Sequence, residues 1–145
     1  MNTKITKKTQ YAVAAMLELA KLEGSVTISE ISDSQGIDPN YMGIILLELK
    51  KRNLVASTRG AKGGYKLARS IESIYVSEIM EAVGETVKVT RCKDKEEGCT
   101  GTKDRCPAHK MWRGLELKIE SYLSSITLKD MLESYQEFNF AITAI

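Results

Sequence analysis

Two helix-start signals, Thr27-Ile28-Ser29-Glu30 and Asp38-Pro39-Asn40, lie close together in the first third of the chain. They constrain the fold more than any other feature. In the first, the Thr27 hydroxyl can accept from the Glu30 amide while the Glu30 carboxylate reaches back, a capping box. The helix it opens is predicted to stop at Gly36, which takes the left-handed conformation at no steric cost. In the second, Asp38 suits the N-cap, and Pro39 suits the first helical position, where its missing N–H costs nothing. Tyr41, Ile45 and Leu49 then give a third helix its apolar stripe up to Arg52. Upstream, residues 7–22 have helical spacing, with Tyr11, Ala15, Leu19 and Leu22 on one stripe and Ala12, Met16 and Ala20 beside it; Gly24 follows as a stop. Two helices joined around a glycine, the second well capped, form a helix-turn-helix pattern. The first residues of its second helix are placed to meet base edges in a DNA major groove.

After Asn53 come two short β-prone runs, Leu54-Val55-Ala56-Ser57-Thr58 and Tyr65-Lys66-Leu67. Between them lies the basic, glycine-rich tip Arg59-Gly60-Ala61-Lys62-Gly63-Gly64. Glycines let backbone approach DNA closely, and an arginine at such a tip suits a narrow, electronegative minor groove. An ordinary hairpin with an incidental arginine is the simpler alternative; the position directly after a capped helix favours a DNA-touching wing. A phosphate-cradling loop is set aside, because no Gly-Lys-Ser/Thr triplet precedes a helix here. Charge is distributed to match: residues 1–70 carry 11 Lys+Arg against 6 Asp+Glu, and the remainder 10 against 13. A basic front half provides what a phosphate-binding surface needs.

Residues 76–83 read as a short amphipathic helix stopped by Gly84. The polar segment that follows carries Cys92, Cys99 and Cys106, six residues apart in each gap, then Pro107-Ala108 and His109, the one histidine of the chain. Three cysteines in a charged segment do not fit buried small hydrophobes. Three thiolates and an imidazole could make a four-ligand site, and sulfur-rich sites select zinc or iron–sulfur clusters. Structural zinc sites draw on cysteines two to four residues apart, and no such pair occurs; spacing alone leaves both metals open. From about Pro107 to Leu123 a long helix is predicted, with Met111, Leu115, Ile119 and Tyr122 on one stripe and Trp112 and Leu123 alongside. It can seal a dimer or fold back on its own domain. Thr127 caps a last helix, predicted to run to about Tyr135.

These residues resemble the IscR/NsrR/CymR family of winged-helix transcription regulators over almost the whole chain, closest to its IscR-like branch. The matching segments are Tyr11-Ala12-Val13 with Ala15-Met16, Arg59-Gly60 with Gly63-Gly64-Tyr65, Arg91-Cys92, Trp112-Arg113 and Ile126-Thr127-Leu128. The resemblance implies a homodimer with an iron–sulfur cluster near the dimer interface that modulates DNA binding. It implies Cys92, Cys99 and Cys106 as ligands, with His109 at the position of the branch's histidine ligand, and a 2Fe–2S cluster. Other branches use a carboxylate from the partner's first helix, but Gln10 stands at that position here. Asn40, Tyr41, Arg59 and Gly60 carry over as DNA contacts, and Lys62 joins them on charge grounds. There are two departures. Each cysteine gap is one residue longer than in the best-known relatives, and Gly43 and Ile44 stand where those relatives have polar base-reading side chains, so their operator sequence does not carry over.

The expected architecture is therefore mainly α: a winged helix-turn-helix domain over residues 1–83 with a two-stranded wing, a cluster-bearing segment over 84–106, and a long dimerisation helix with a C-terminal helix over 107–145. The expected function is that of a DNA-binding repressor, a homodimer on a double-stranded operator, governed by its cluster in response to redox state, iron–sulfur status or nitric oxide. The alternative keeps DNA binding and replaces the cluster with zinc, a thiol switch or a partner-protein sensor. No enzymatic activity, membrane or small-molecule substrate is expected, since no Cys-x-x-Cys occurs and the histidine is not paired with a distant acid. Met1–Gln10 is polar and basic and no apolar run reaches the ~18–20 residues of a membrane span, so the expected location is the cytoplasm. There thiols stay reduced, and an odd cysteine count further disfavours a disulfide framework.

Overall fold

The computed structural model describes residues 5–61, 63–89 and 105–134. In chain order it places α1 (Lys7–Lys21), α2 (Ile28–Gln35), α3 (Pro39–Lys51), β1 (Val55–Thr58), β2 (Gly64–Leu67), α4 (Val76–Ala82) and α5 (His109–Leu123). A further helix, α6, covers 128–134.

The local signals act as their chemistry requires. The Thr27 N–H donates to the Glu30 carboxylate at 2.7 Å and the Glu30 N–H returns to the Thr27 hydroxyl at 3.2 Å, closing the capping box. Gly36 ends α2 in the left-handed region with φ 64°, where a Cβ would be strained. Asp38 caps α3 through the Asn40 N–H at 2.9 Å, with Pro39 in the first turn. One expectation needs correcting. Leu22 is not part of the buried stripe of α1: its backbone is already extended, and its side chain is 46% exposed. The long helix likewise starts at His109 rather than Pro107, because Pro107 and Ala108 lie in a turn.

The core forms where α1, α2 and α3 cross and is closed by the wing and α4. Ala12, Ala15 and Met16 from α1, Ile31 from α2, and Met42, Ile45, Leu46 and Leu49 from α3 are fully buried, together with Leu54, Ile74 and Ile79. Burying one such aliphatic side chain contributes about 1.5–3 kcal/mol. The wing is a two-stranded antiparallel sheet in the register Val55↔Leu67 to Thr58↔Gly64. A third short rung ties it to the α1–α2 connection: Val26 N–H donates to Tyr65 O at 2.8 Å and Tyr65 N–H to Val26 O at 2.7 Å. A Cβ on Gly64 would run into the Val26 carbonyl, so this close pairing requires glycine there.

The C-terminal part rejoins the core after α5. Val76 N–H donates to Ile126 O at 2.9 Å and Leu128 N–H to Ile74 O at 3.0 Å, and Leu128 is fully buried. Thr127 caps α6, accepting from Asp130 N–H at 3.1 Å. By contrast, the one buried residue of α5 is Glu116. Met111, Leu115 and Tyr122 lie on a face of α5 open to solvent, 59%, 43% and 66% exposed.

Candidate nucleic-acid interface and cysteine-bearing segment

The residues expected to touch DNA sit on two elements presented by the same core. Asn40 is exposed in the first turn of α3, held there by the Asp38 cap. Tyr41 is half-buried, its ring edge-on to Tyr11 with centroids 6.1 Å apart and planes at 83°. It therefore also fixes the angle of α3 against α1. The Lys50 ammonium donates to the Ser57 hydroxyl at 2.7 Å, joining the end of α3 to the wing. Arg59 and Gly60 are exposed at the wing tip, and no protein atom comes within 4 Å of a Cβ built on Gly60. Lys62 lies outside the described residues. The helix and the wing are thus joined, and Lys50, Lys51, Arg59 and Lys66 are exposed on them, the charge that phosphates attract.

Of the proposed metal ligands, Cys92 and Cys99 lie outside the described residues, while Cys106 and His109 are placed. Cys106 is a half-buried free thiol just before α5, and its carbonyl accepts the His109 N–H at 2.9 Å. His109 opens the helix. The N-cap position of α5 is Ala108, whose side chain makes no cap hydrogen bond, and the first turn of the helix holds no acidic residue. Its amide dipoles therefore favour negative charge there. The donor set fits an anionic sulfur cluster: soft thiolate sulfur together with imidazole nitrogen.

Two carboxylates fasten the chain ahead of the cysteines, at residues 85 and 89, to α1 and α5. Glu116 of α5 accepts the Val89 N–H at 3.0 Å and is also bound by Arg113 at 3.2 Å. The chain just before the cysteines is thereby held to the helix that begins just after them. Glu85 accepts from the Thr6 N–H at 3.0 Å and from the Thr6 and Thr9 hydroxyls at 2.6 Å each. This joins the same segment to the first turn of α1. Burial is the largest single influence on the Glu85 carboxyl and opposes its charge, but the hydrogen bonds from Thr6 and Thr9 together outweigh it and hold the group below the usual carboxylate range.

The profile of a family described as "Rrf2: Iron-dependent Transcriptional regulator" matches residues 5–134. The chain belongs to the Rrf2 family. Among curated relatives, the HTH-type transcriptional regulator IscR of Xenorhabdus nematophila is 42% identical over 140 residues, covering 95% of this chain and 84% of the relative. The IscR regulator of Sodalis glossinidius is 43% identical over 133 residues, covering 90% and 79%. Among solved structures, T. potens IscR superposes with a TM-score of 0.75 at 35% identity, covering 92% of this chain and 89% of that one. The B. subtilis global cysteine regulator CymR gives 0.76 at 28%, covering 91% and 97%. This Rrf2 chain has the winged-helix fold of these proteins and is a transcription regulator of the IscR type, not an enzyme.

Sequence reading did not single out Glu85, Glu116 or Leu47 in this Rrf2 chain. Both glutamates act on partners 76 or more and 27 residues away in sequence, beyond the reach of any local pattern. Leu47 had a usable signal, since its helical phase opposes the buried stripe of α3. Among the described residues no helix is long and apolar enough to cross a membrane.

Proposed function

We propose that this chain is a cytoplasmic homodimeric repressor whose hold on a double-stranded DNA operator is set by a 2Fe–2S cluster bound by Cys92, Cys99, Cys106 and His109. Asn40 and Tyr41 would engage the major groove, and Arg59, Gly60 and Lys62 the backbone and minor groove. Residues 1–83 form the reading head, 84–106 the cluster segment, and 107–145 the dimerisation part.

The observation that carries this reading is that Cys106 and His109 lie at the start of α5, the helix whose Glu116 accepts the Val89 N–H, while Glu85 joins the chain ahead of Val89 to α1. When bound, such a cluster supplies a redox-active group that oxygen or nitric oxide can attack. The protein's own residues give that event its reach. A displacement of residues 85–89 relative to α5 would act on the Val89–Glu116 bond and, through Glu85, on the first turn of α1. The ligand shifts the equilibrium only by its differential affinity for the two arrangements. The exposed Met111, Leu115 and Tyr122 of α5 supply an apolar seam for the second subunit. Two heads held this way match half-sites about one helical turn of DNA apart.

The test is operator affinity of the full chain, prepared without air, before and after the iron is stripped by a chelator. The two forms should differ in affinity, and both affinities should fall steeply with salt. Equal affinities would remove the cluster from control of binding. Iron-free protein carrying stoichiometric zinc would replace the cofactor.

A further inference from the structure

We propose that α3 selects its operator by apolar contact with thymine methyl groups, through Ile44 and Leu47. This rests on the DNA-binding reading given above. A helix turns about 100° per residue, so residues 40, 44, 47 and 51 lie opposite the buried Met42, Ile45, Leu46 and Leu49. The structure has them there: Asn40 and Lys51 are exposed, Ile44 is 54% exposed and Leu47 48%. In the middle of the outward face of the second helix of a helix-turn-helix, two large aliphatic side chains thus stand in water.

The surroundings identify the occupant. Lys50, Lys51 and Arg52 lie at the end of the same helix, and Arg59 is on the neighbouring wing. An apolar strip bordered by cations is complementary to a polyanion whose groove floor offers methyl groups. In the major groove that apolar group is the C5-methyl of thymine, and the other base edges are donors and acceptors. Ile44 or Leu47 set against a guanine or cytosine edge would strip water from polar atoms and return no hydrogen bond. The same strip therefore rejects G·C pairs at those positions. Gly43 beside Ile44 bears no side chain that could supply a polar contact instead. Asn40, one turn earlier, is placed for the paired contact that an amide makes with adenine. The expected half-site carries thymines centred under α3, flanked by an adenine.

The experiment begins by selecting an operator from random double-stranded DNA with the full chain. Each half-site thymine is then replaced by deoxyuridine, which removes the methyl and keeps every hydrogen-bonding atom. Affinity should fall about fourfold for each contacted methyl. Ile44→Ala and Leu47→Ala should bind the thymine operator less well, each becoming indifferent to deoxyuridine at its own position. Both side chains are exposed, so thermal melts of the variants should match wild type. Wild-type affinity unchanged by every deoxyuridine substitution overturns the proposal. Full affinity in the double variant overturns it as well and leaves the strip to a protein partner. Failure to select any DNA defeats the DNA-binding reading itself, a result distinct from methyl-insensitive binding.

Discussion

The Glu85 carboxylate joins two regions that lie far apart in the chain, and its charge is part of that junction. It accepts three hydrogen bonds from Thr6 and Thr9, and Thr9 is almost fully buried. Its acidity is displaced downward, so its contribution to stability is present above the unfolded-state carboxylate value and is lost as pH falls through the lower folded-state value. Glu85→Gln keeps the shape and removes the charge. Thermal melts should show this variant destabilised at pH 7, by about 0.5–1.5 kcal/mol, the net scale of one hydrogen bond near the surface. The deficit should shrink as pH drops below the carboxylate range; a deficit independent of pH would mean that charge plays no part. Nothing around Glu85 in the sequence marks it, because its partners come from the other end of the folded unit. Gly36 and Asp38 are the opposite case: their roles depend on residues within one helical turn, and their chemistry was readable directly.

At the scale of elements, the helix-turn-helix and wing were legible because each boundary carries its own local chemistry. The Thr27–Glu30 box, the Asp38–Pro39 start and the glycine-rich tip all stand where the sequence places them. Leu22 fell outside its helix because periodicity extends a stripe without knowing where the backbone turns. The Val26–Tyr65 rung was not legible, since pairing between a loop and a strand leaves no pattern in either. That rung ties the wing to the α1–α2 connection, and the Lys50–Ser57 contact ties it to α3. Arg59 is exposed at the tip of the wing so attached, where it can enter a DNA groove. Arg59→Ala should therefore weaken operator binding by about 1–3 kcal/mol, measured by titration at fixed salt, with folding unchanged. Undiminished affinity would take the wing out of the interface.

For the whole molecule, α5 is the element whose sequence and structure agree on an incomplete surface. Its predicted stripe is present, yet within one chain Met111, Leu115 and Tyr122 face solvent while the charged Glu116 is the buried residue. A second subunit on that face would cover them. Leu115→Asp should give a folded monomer by sedimentation, with operator affinity reduced about 100-fold or more once the two heads are no longer linked. A dimeric variant would place the seam elsewhere. The three cysteines stood out as candidate ligands by residue type, whereas the bonds of Glu116 to Val89 and of Glu85 to Thr6 and Thr9 became visible only in three dimensions. The most direct test is the visible spectrum with iron and acid-labile sulfide content of protein purified without air, for wild type and for Cys92→Ala, Cys99→Ala and Cys106→Ala. Wild-type protein should be coloured, with about two irons and two sulfides per chain as a 2Fe–2S cluster requires, and each variant should lose both colour and iron. Colourless wild type, or variants that keep their full iron, would contradict the cluster assignment.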